Sequence, residues 1–576
     1  MTESTTTDKT SIFEHHALTQ IHNGDTPFER IENLRSFLRN LKRGGDHGQF
    51  GPFSRTLSSD QITAMLSNFS TAYNTVSISL VIPILQSPSL YLTSETPTSE
   101  SFCASSLLCG MMIGQLIGGA LGDVIGRWNA MYLVMGIQML GTFGSALFVW
   151  DGEGKNIFHQ LAAWRFVLGI GCGGVYPLAA ALSAEQTSAD TSEVRITENQ
   201  NFIEREKLQK LALTFSTQGL GFAMVPIVAY PLLFLLGPNR LDYTWRIILG
   251  LGAIPGFVLA YLRYRWGHSQ NDKGLKVGEA SPLMASSHTA TTYGDNSENT
   301  QTCEELRIDW ARDFVGEGDL ASIQHHVDEE SSYHIDNKET HGIGHHEQPV
   351  SEPSLWQSIR CEPDLIKKLS GTAFTWFLFD IVFYGNTLFQ PIVLEAAFGR
   401  SVNDEHNHNQ DNFQILLKTC RDSLFLTLIA LPGYFTTIAV IGRQTWGSMR
   451  QTPKYIQTQG FIVMAVLYSI IGSNWNTLRD YQWLLVSLYG GTFFFANYGP
   501  NTTTFLLPSL TFSAHCRTTL NGISAACGKA GAVVGASMFE PLTRTLGDDS
   551  VMLICAEISL FAAFLTLMTV PSRNSV

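Results

Sequence analysis

The chain has 576 residues, of which 44% are hydrophobic and 15% charged, and its formal net charge is −13. This length exceeds that of one ordinary soluble core, which leaves two folded units or a membrane architecture. The cytoplasmic segments lack a basic stripe with interleaved aromatic residues, which excludes a nucleic-acid-binding protein. The nine cysteines contain no CxxC pair, and we expect neither a metal site nor a cofactor.

Twelve stretches are long and apolar enough to predict membrane-spanning helices. We therefore expect an all-α integral membrane protein with twelve transmembrane helices in two six-helix halves. The spans lie near 61–86, 102–122, 128–150, 159–184, 211–236, 244–264, 370–396, 422–441, 455–473, 481–507, 519–540 and 550–570.

Polar segments divide the chain into five parts. These are an N-terminal tail (1–60), a six-helix bundle (61–265), a central linker (266–369), a second six-helix bundle (370–570) and a short tail (571–576). In the first tail, apolar residues recur at helical spacing between Phe28 and Leu41, which leaves open an amphipathic helix on the membrane or a plain helical cap. The His-rich linker is interpreted as solvated and disordered rather than metal-binding, because no fixed ligand spacing occurs.

Basic residues are concentrated in the N-terminal tail and in alternate loops. The tail carries Arg30, Arg35, Arg39, Lys42 and Arg43, whereas the loop after the first span has no Arg or Lys. Because basic loops remain in the cytoplasm, both termini are predicted to be cytoplasmic.

The chain offers no catalytic constellation. It contains no nucleophile with a matching base and no GxxxxGKS/T loop, so we expect a protein that is not an enzyme. A GxGxxG match runs from Gly169 to Gly174, but it lies inside an apolar span. We interpret these glycines as helix-packing positions rather than as a dinucleotide site.

One lysine interrupts an otherwise small and apolar stretch, "SAACGKAGAVVGASMF". A charge in the middle of a span is costly, so Lys529 is expected to face a wet cavity or a partner, with a structural ion pair as the alternative. Asp380 is the obvious partner, and Trp376 and Tyr384 lie one helical turn on either side of it. This face therefore predicts an oxyanion site with one cation and several neutral donors.

The turn between the second and third spans carries a recognisable motif. "GGALGDVIGR" contains Gly119, Asp123, Gly126 and Arg127 and resembles the loop signature of the major facilitator superfamily. The glycines permit a tight turn, and the two charges can pair with a helix end or with a neighbour to hold one conformation. The corresponding turn after span eight has Gly442 in place of an acid, which predicts a weaker second latch.

Further stretches resemble the phosphate:proton symporter family of that superfamily. They are "WRFVLGIGCGGVYPLAAALSAE", "FTWFLFDIVFYGNTLFQ" and "NYGPNTTTFLLPSLTFSAHCRTTLNGISAACGKAGA". The resemblance implies transport of inorganic phosphate with protons across a fungal-type plasma membrane. It also implies the phosphate-contacting residues, which are Tyr176, Gln218, Trp376, Asp380, Tyr384, Asn501 and Lys529.

Asp380 gives this resemblance a mechanism. An ionised Asp380 would repel a bound phosphate, whereas a protonated one could donate a hydrogen bond to it, so proton uptake and anion binding are linked. Asp380 is therefore predicted to be the proton-coupling residue, and the empty Asp380–Lys529 pair would permit the return of the carrier.

The chain departs from the family where acids are expected. Val175 occupies an aspartate position in span four, and Thr71 and Asn74 occupy two in span one. None of these side chains can carry a proton in the relevant pH range. Arg165 remains, and Glu185, Asp123 or no residue at all is its expected partner within the latch. Coupling through Asp380 alone, a facilitator for a related anion, and a non-transporting nutrient sensor all remain open.

Overall fold

The computed structural model describes residues 59–86, 97–150, 157–192, 200–259, 261, 354–398, 408–444, 450–513 and 515–570. The predicted N-terminal tail, the His-rich part of the linker and the C-terminal tail lie outside the described residues. The proposals for an amphipathic helix and a disordered His-rich segment therefore remain predictions.

Six long or medium helices make up the first half. They are α1 (Ser59–Leu85), α2 (Pro97–Val124), α3 (Arg127–Leu147), α4 (Ile157–Ser192), α5 (Gln200–Leu236) and α6 (Leu241–Gly250), the last followed by a 3-10 turn (Leu251–Ala253). Each coincides with one of the first six predicted spans.

The second half repeats this arrangement. Its helices are α7 (Thr375–Phe398), α8 (His408–Val440), α9 (Pro453–Ser473), α10a (Gln482–Tyr498), α10b (Pro500–Thr511), α11 (Arg517–Leu546) and α12 (Asp548–Thr569). Within the described residues, eight helices are long and apolar enough to cross a membrane on length and composition alone. The prediction of an all-α integral membrane protein is thus confirmed.

Glycines let the helices of the first half pack with their backbones in contact. Gly169 of α4 lies against the Leu107 carbonyl of α2, and Gly173 lies against the Met111 carbonyl. Gly171 on another side of α4 lies against Gln138 of α3. The GxGxxG match is therefore a packing element, because a side chain at any of these positions would displace a neighbouring helix.

The two halves meet along α2 with α11 and along α5 with α8. Gly119 of α2 packs on the Thr518 carbonyl and on Gly522 of α11. Gln209 of α5 donates from Nε2 to the Ile438 carbonyl of α8 at 2.9 Å. These contacts lie on the side that carries the α2–α3, α8–α9 and α10–α11 turns, which we call the turn face.

Span ten is broken into α10a and α10b at Gly499 and Pro500. A proline cannot donate the backbone bond that would continue the helix. Hydroxyl groups compensate for the break, since Thr437 Oγ1 donates to the Tyr498 carbonyl and Thr502 Oγ1 to the Asn497 carbonyl, each at 2.6 Å. The break is therefore stable inside the bundle and places Asn501 at the start of a fresh helical segment.

The end of the predicted disordered linker is ordered instead. Residues Leu355–Cys361 and Leu365–Leu369 form two short helices. Their apolar side chains pack around Phe512, Cys516 and Leu520 at the α10–α11 turn. The polar composition of the linker as a whole concealed this amphipathic end.

Candidate functional site

The two interior charges predicted to converge lie in direct contact. Asp380 of α7 and Lys529 of α11 are 2% and 3% exposed. Lys529 Nζ donates to Asp380 Oδ2 at 2.7 Å and to the Tyr384 hydroxyl at 3.1 Å. A charge-assisted bond of this length in a buried setting is strong, and each charge offsets the desolvation of the other.

A stripe of small residues on α11 makes this contact possible. Gly531 and Gly535 lie directly against the backbone carbonyls of Phe377 and Ile381 on α7. Gly528, the residue before the lysine, is covered by the buried indole of Trp376. The glycines around Lys529 therefore bring α7 within reach, which explains why a lone ammonium occurs in so apolar a stretch.

The first half supplies neutral polar groups to the same place. The Tyr176 hydroxyl of α4 donates to Gln218 Oε1 of α5 at 3.3 Å. Lys529 Nζ lies 5.8 Å from the centre of the Tyr176 ring and 4.5 Å from the centre of the Tyr384 ring. Both rings are within cation–π range, so the ammonium sits between aromatic faces contributed by both halves.

Asn501 reaches the site through neighbours that sequence reasoning did not place there. Its Nδ2 donates to the Tyr434 hydroxyl at 2.9 Å and to Asn497 Oδ1 at 2.8 Å. Tyr434 and Asn497 were absent from the predicted set. Two signals were available in the sequence. Tyr434 follows Pro-Gly in span eight, and Asn497 lies one helical turn before Asn501.

An aromatic cluster closes the site from the side. The rings of Phe215 and Phe505 are 4.7 Å apart, Tyr434 lies 6.1 Å from Phe215, and Tyr176 lies 6.3 Å from Phe505. One ammonium, several hydroxyl and amide groups and an apolar wall together suit a small oxyanion, because each donor strengthens where water is excluded.

The three positions that lack the family acids are all buried. Asn74 Nδ2 donates to the carbonyls of Ser70 and Gly252 at 2.9 and 3.1 Å. Thr71 and Val175 are fully buried without contributing a carboxylate. The first half therefore contains no acid at the positions where the resemblance anticipates one.

The structure also separates Arg165 from all the partners considered for it. Its guanidinium donates to Ser77 Oγ and to the Thr75 carbonyl, each at 3.4 Å. Glu185 is twenty residues further along the same helix, about 30 Å along its axis, and its side chain lies outside the described part. Even an acid at Val175 would lie about 15 Å along the axis from Arg165.

Asp123 holds the start of α11 instead. Its Oδ2 accepts from the Thr519 backbone amide at 2.7 Å and from Thr519 Oγ1 at 2.6 Å. Arg127 lies 3.8 Å from Oδ1 of the same carboxylate. A carboxylate at a helix N-terminus is favourable because unpaired amides and the helix dipole converge there. Gly126 makes the turn with φ of +84°, a conformation that other residues rarely adopt.

A different pair of charges holds the second turn. Arg450 Nη1 lies 2.7 Å from Glu204 Oε2 at the start of α5, although the turn lacks an acid of its own at Gly442. The expectation of a weaker second latch thus overlooked an acid from the other half. Both side chains are partly exposed, which limits the strength of the pair.

Comparisons with known proteins agree with this geometry. The sequence profile of the Major Facilitator Superfamily matches residues 64–536. The chain is 30% identical to the "Putative inorganic phosphate transporter 1-13" of Oryza sativa subsp. japonica, over 82% of this chain and 81% of that one. It is 30% identical to the "Inorganic phosphate transporter 1-1" of Arabidopsis thaliana, over 83% of each. The solved structure of the proton:xylose symporter XylE aligns with a TM-score of 0.57 at 16% identity, over 89% of this chain and 95% of that one.

Proposed function

Because the chain belongs to the Major Facilitator Superfamily, we propose that it is a secondary transporter that moves inorganic phosphate with protons by alternating access. The observation that carries this proposal is the buried Lys529–Asp380 contact, surrounded by neutral donors from both halves. The relatives named as inorganic phosphate transporters support the choice of anion.

Phosphate would bind by replacing part of the contact between the two charges. Lys529 supplies the positive charge, and hydroxyl or amide groups on four other helices supply hydrogen bonds. Trp376 bounds the site through its indole. The proposed phosphate site consists of Tyr176, Gln218, Trp376, Asp380, Tyr384, Asn501 and Lys529, and we add Tyr434 because it bonds Asn501.

Proton coupling follows from what phosphate does to the pair. Without substrate, Asp380 is the counter-ion of Lys529. When phosphate takes over that role, an ionised Asp380 would face a second anion in a dry site, so the carboxyl binds a proton instead. The protonated carboxyl then donates to the phosphate. Release of the proton and the anion restores the Asp380–Lys529 pair for the return step.

Two contacts between the halves would control access from the turn face. Asp123, supported by Arg127, binds the start of α11, and Glu204 pairs with Arg450. Opening this face separates α2 from α11 and α5 from α8, so both contacts must break in each cycle. We propose that Gly119, Asp123, Gly126 and Arg127 form the first latch, and we omit Arg165 and Glu185 from it.

We further propose that the turn face is cytoplasmic and that the membrane is the plasma membrane. Arg127, Lys207, Lys210, Arg443 and Arg450 all lie at or near this face, as expected for cytoplasmic loops. Both termini would then be cytoplasmic, with the central linker on the same side. The plasma membrane follows from the resemblance to phosphate-uptake carriers.

Radiolabelled phosphate flux into proteoliposomes tests the function. We expect accumulation when the outside is acid relative to the inside and no accumulation when the gradient is collapsed. Downhill flux that ignores the gradient would identify a facilitator. Binding of phosphate without any flux would identify a sensor and would refute the proposed transport.

A further inference from the structure

Arg165 of α4 is a buried cation that has no acidic partner among the residues that the structure describes. Its side chain is 0% exposed. A guanidinium remains charged at any physiological pH. Among the described residues, no carboxylate lies within ion-pair distance of it, and its hydrogen bonds run to Ser77 Oγ and the Thr75 carbonyl. A lone charge in so dry a setting is unfavourable unless an opposite charge is nearby.

Two other buried cations of this protein do have such a partner. Lys529 lies 2.7 Å from Asp380, and Lys368 lies 2.6 Å from Glu362. The bonds of Arg165, by contrast, are both 3.4 Å long, and its buried Nε has no hydrogen-bond partner. The guanidinium therefore keeps donor capacity that its protein neighbours do not use.

None of the described neighbours of Arg165 carries a negative charge that could offset its guanidinium. Ser77 and Thr75 offer a hydroxyl and a carbonyl, both neutral, and Cys103 nearby is a buried free thiol. The resemblance places acids at Thr71, Asn74 and Val175, yet these residues are neutral here, and Asn74 already bonds two carbonyls. Within the described part of the chain, one net positive charge therefore remains in this region, towards the side of the bundle opposite the turn face.

We propose that the Arg165 guanidinium binds a small monovalent inorganic anion at a site separate from Lys529. A single fixed guanidinium matches one negative charge, so chloride and dihydrogen phosphate are the fitting ligands. Arg165 is eight residues from the start of α4. It therefore lies about 12 Å along the helix axis from the side of the bundle opposite the turn face. The anion enters when the side opposite the turn face opens. Only this entry route rests on the proposed function.

Thermal unfolding of the purified full-length chain tests the site. The protein is compared in gluconate, chloride and phosphate salts at one ionic strength of about 150 mM. Because a ligand that binds only the folded state raises the midpoint of unfolding, we expect chloride to raise Tm by at least about 3 °C over gluconate. Arg165→Gln, which keeps a polar side chain but removes the charge, should lose this shift.

A second variant keeps the test decisive if Arg165→Gln does not fold. Ser77→Asp places a carboxylate beside the guanidinium, so the protein supplies its own anion and the chloride shift should again disappear. Ser77→Ala, the matched control without charge, should retain most of the shift. Wild-type chloride shifts in Ser77→Asp, or no shift with either anion in the wild type, would overturn the proposal.

The result is independent of the phosphate site at Lys529. Lys529→Ala should keep the chloride shift, because the two cations lie in different helices and different halves. If phosphate also stabilises Lys529→Ala, the Arg165 site accepts either anion. If phosphate stabilises Lys529→Ala and chloride does not, the Arg165 site is a second phosphate-binding site on the transport route. If the wild-type protein shows the chloride shift but no phosphate flux, the proposed transport is refuted and the anion site at Arg165 stands.

Discussion

The two halves of this protein treat a buried cation in opposite ways. In the second half, Lys529 is paired with Asp380 and framed by aromatic rings. In the first half, the described partners of Arg165 are neutral and lie at longer distances. In the proposed mechanism the titratable pair carries out proton-linked binding, and the permanent charge of Arg165 attracts an anion without titrating.

Removing the paired cation should have the largest effect. Lys529→Ala takes away the cation that faces the proposed phosphate. Truncating one partner of a buried, hydrogen-bonded charge pair in a binding site costs about 2–5 kcal/mol, which corresponds to at least about 30-fold weaker phosphate binding. Binding of radiolabelled phosphate to the purified protein measures it, and wild-type affinity would disprove the site.

Removing the paired acid should make the second half resemble the first. Asp380→Asn leaves Lys529 as an unpaired cation and abolishes the group that takes the proton. We expect phosphate to exchange across the membrane but no longer to accumulate in response to a pH gradient. Asp380→Glu retains a carboxyl group and serves as the control. Gradient-driven accumulation by Asp380→Asn would show that protons travel by another route.

The two contacts across the turn face should also differ in strength. Asp123→Ala removes a buried helix cap worth about 1 kcal/mol, so the open population should rise about fivefold. Glu204→Gln breaks a partly exposed pair and should change it less than about twofold. Maleimide labelling of a cysteine introduced at Asn521, with Cys516 and Cys527 replaced by serine, reports the opening. Equal increases in labelling for Asp123→Ala and Glu204→Gln would contradict the predicted difference in strength between the two contacts.

The smallest effect is expected at the edge of the site. Tyr434→Phe removes the hydroxyl that accepts from Asn501 but preserves the ring that packs on Phe215. The loss of one neutral hydrogen bond, about 1 kcal/mol, should raise KM for phosphate about fivefold with little change in the maximal rate. Tyr489→Phe, which removes a buried bond to the Asn386 carbonyl, should leave KM unchanged.

The features predictable from sequence are those that hydropathy, helical periodicity or the cost of a buried charge encodes. All twelve spans, the shared face of Trp376, Asp380 and Tyr384, and the partnership of Asp380 with Lys529 followed from hydropathy, periodicity and the cost of an isolated charge. The turn motif indicated that Asp123 could pair with a helix end or with a neighbouring residue, and its carboxylate accepts from the start of α11.

The features that escaped prediction depend on contacts between distant helices. The Glu204–Arg450 pair joins two halves of the chain, and the bond from Asn501 to Tyr434 joins two spans that share no periodic signal. The helices between 355 and 369 were hidden by the polar composition of the linker. Arg165 could not be assigned neighbours because nothing along α4 shows which face meets α1.

The glycine stripe of α11 has a consequence for how the carrier works. Gly531 and Gly535 bring the backbone of α11 into contact with α7. We therefore expect α7 and α11 to move as one rigid unit when the two halves rock. Rocking of the halves therefore does not by itself separate Lys529 from Asp380. In the proposed mechanism phosphate and a proton break this ion pair, and their binding precedes the movement of the halves.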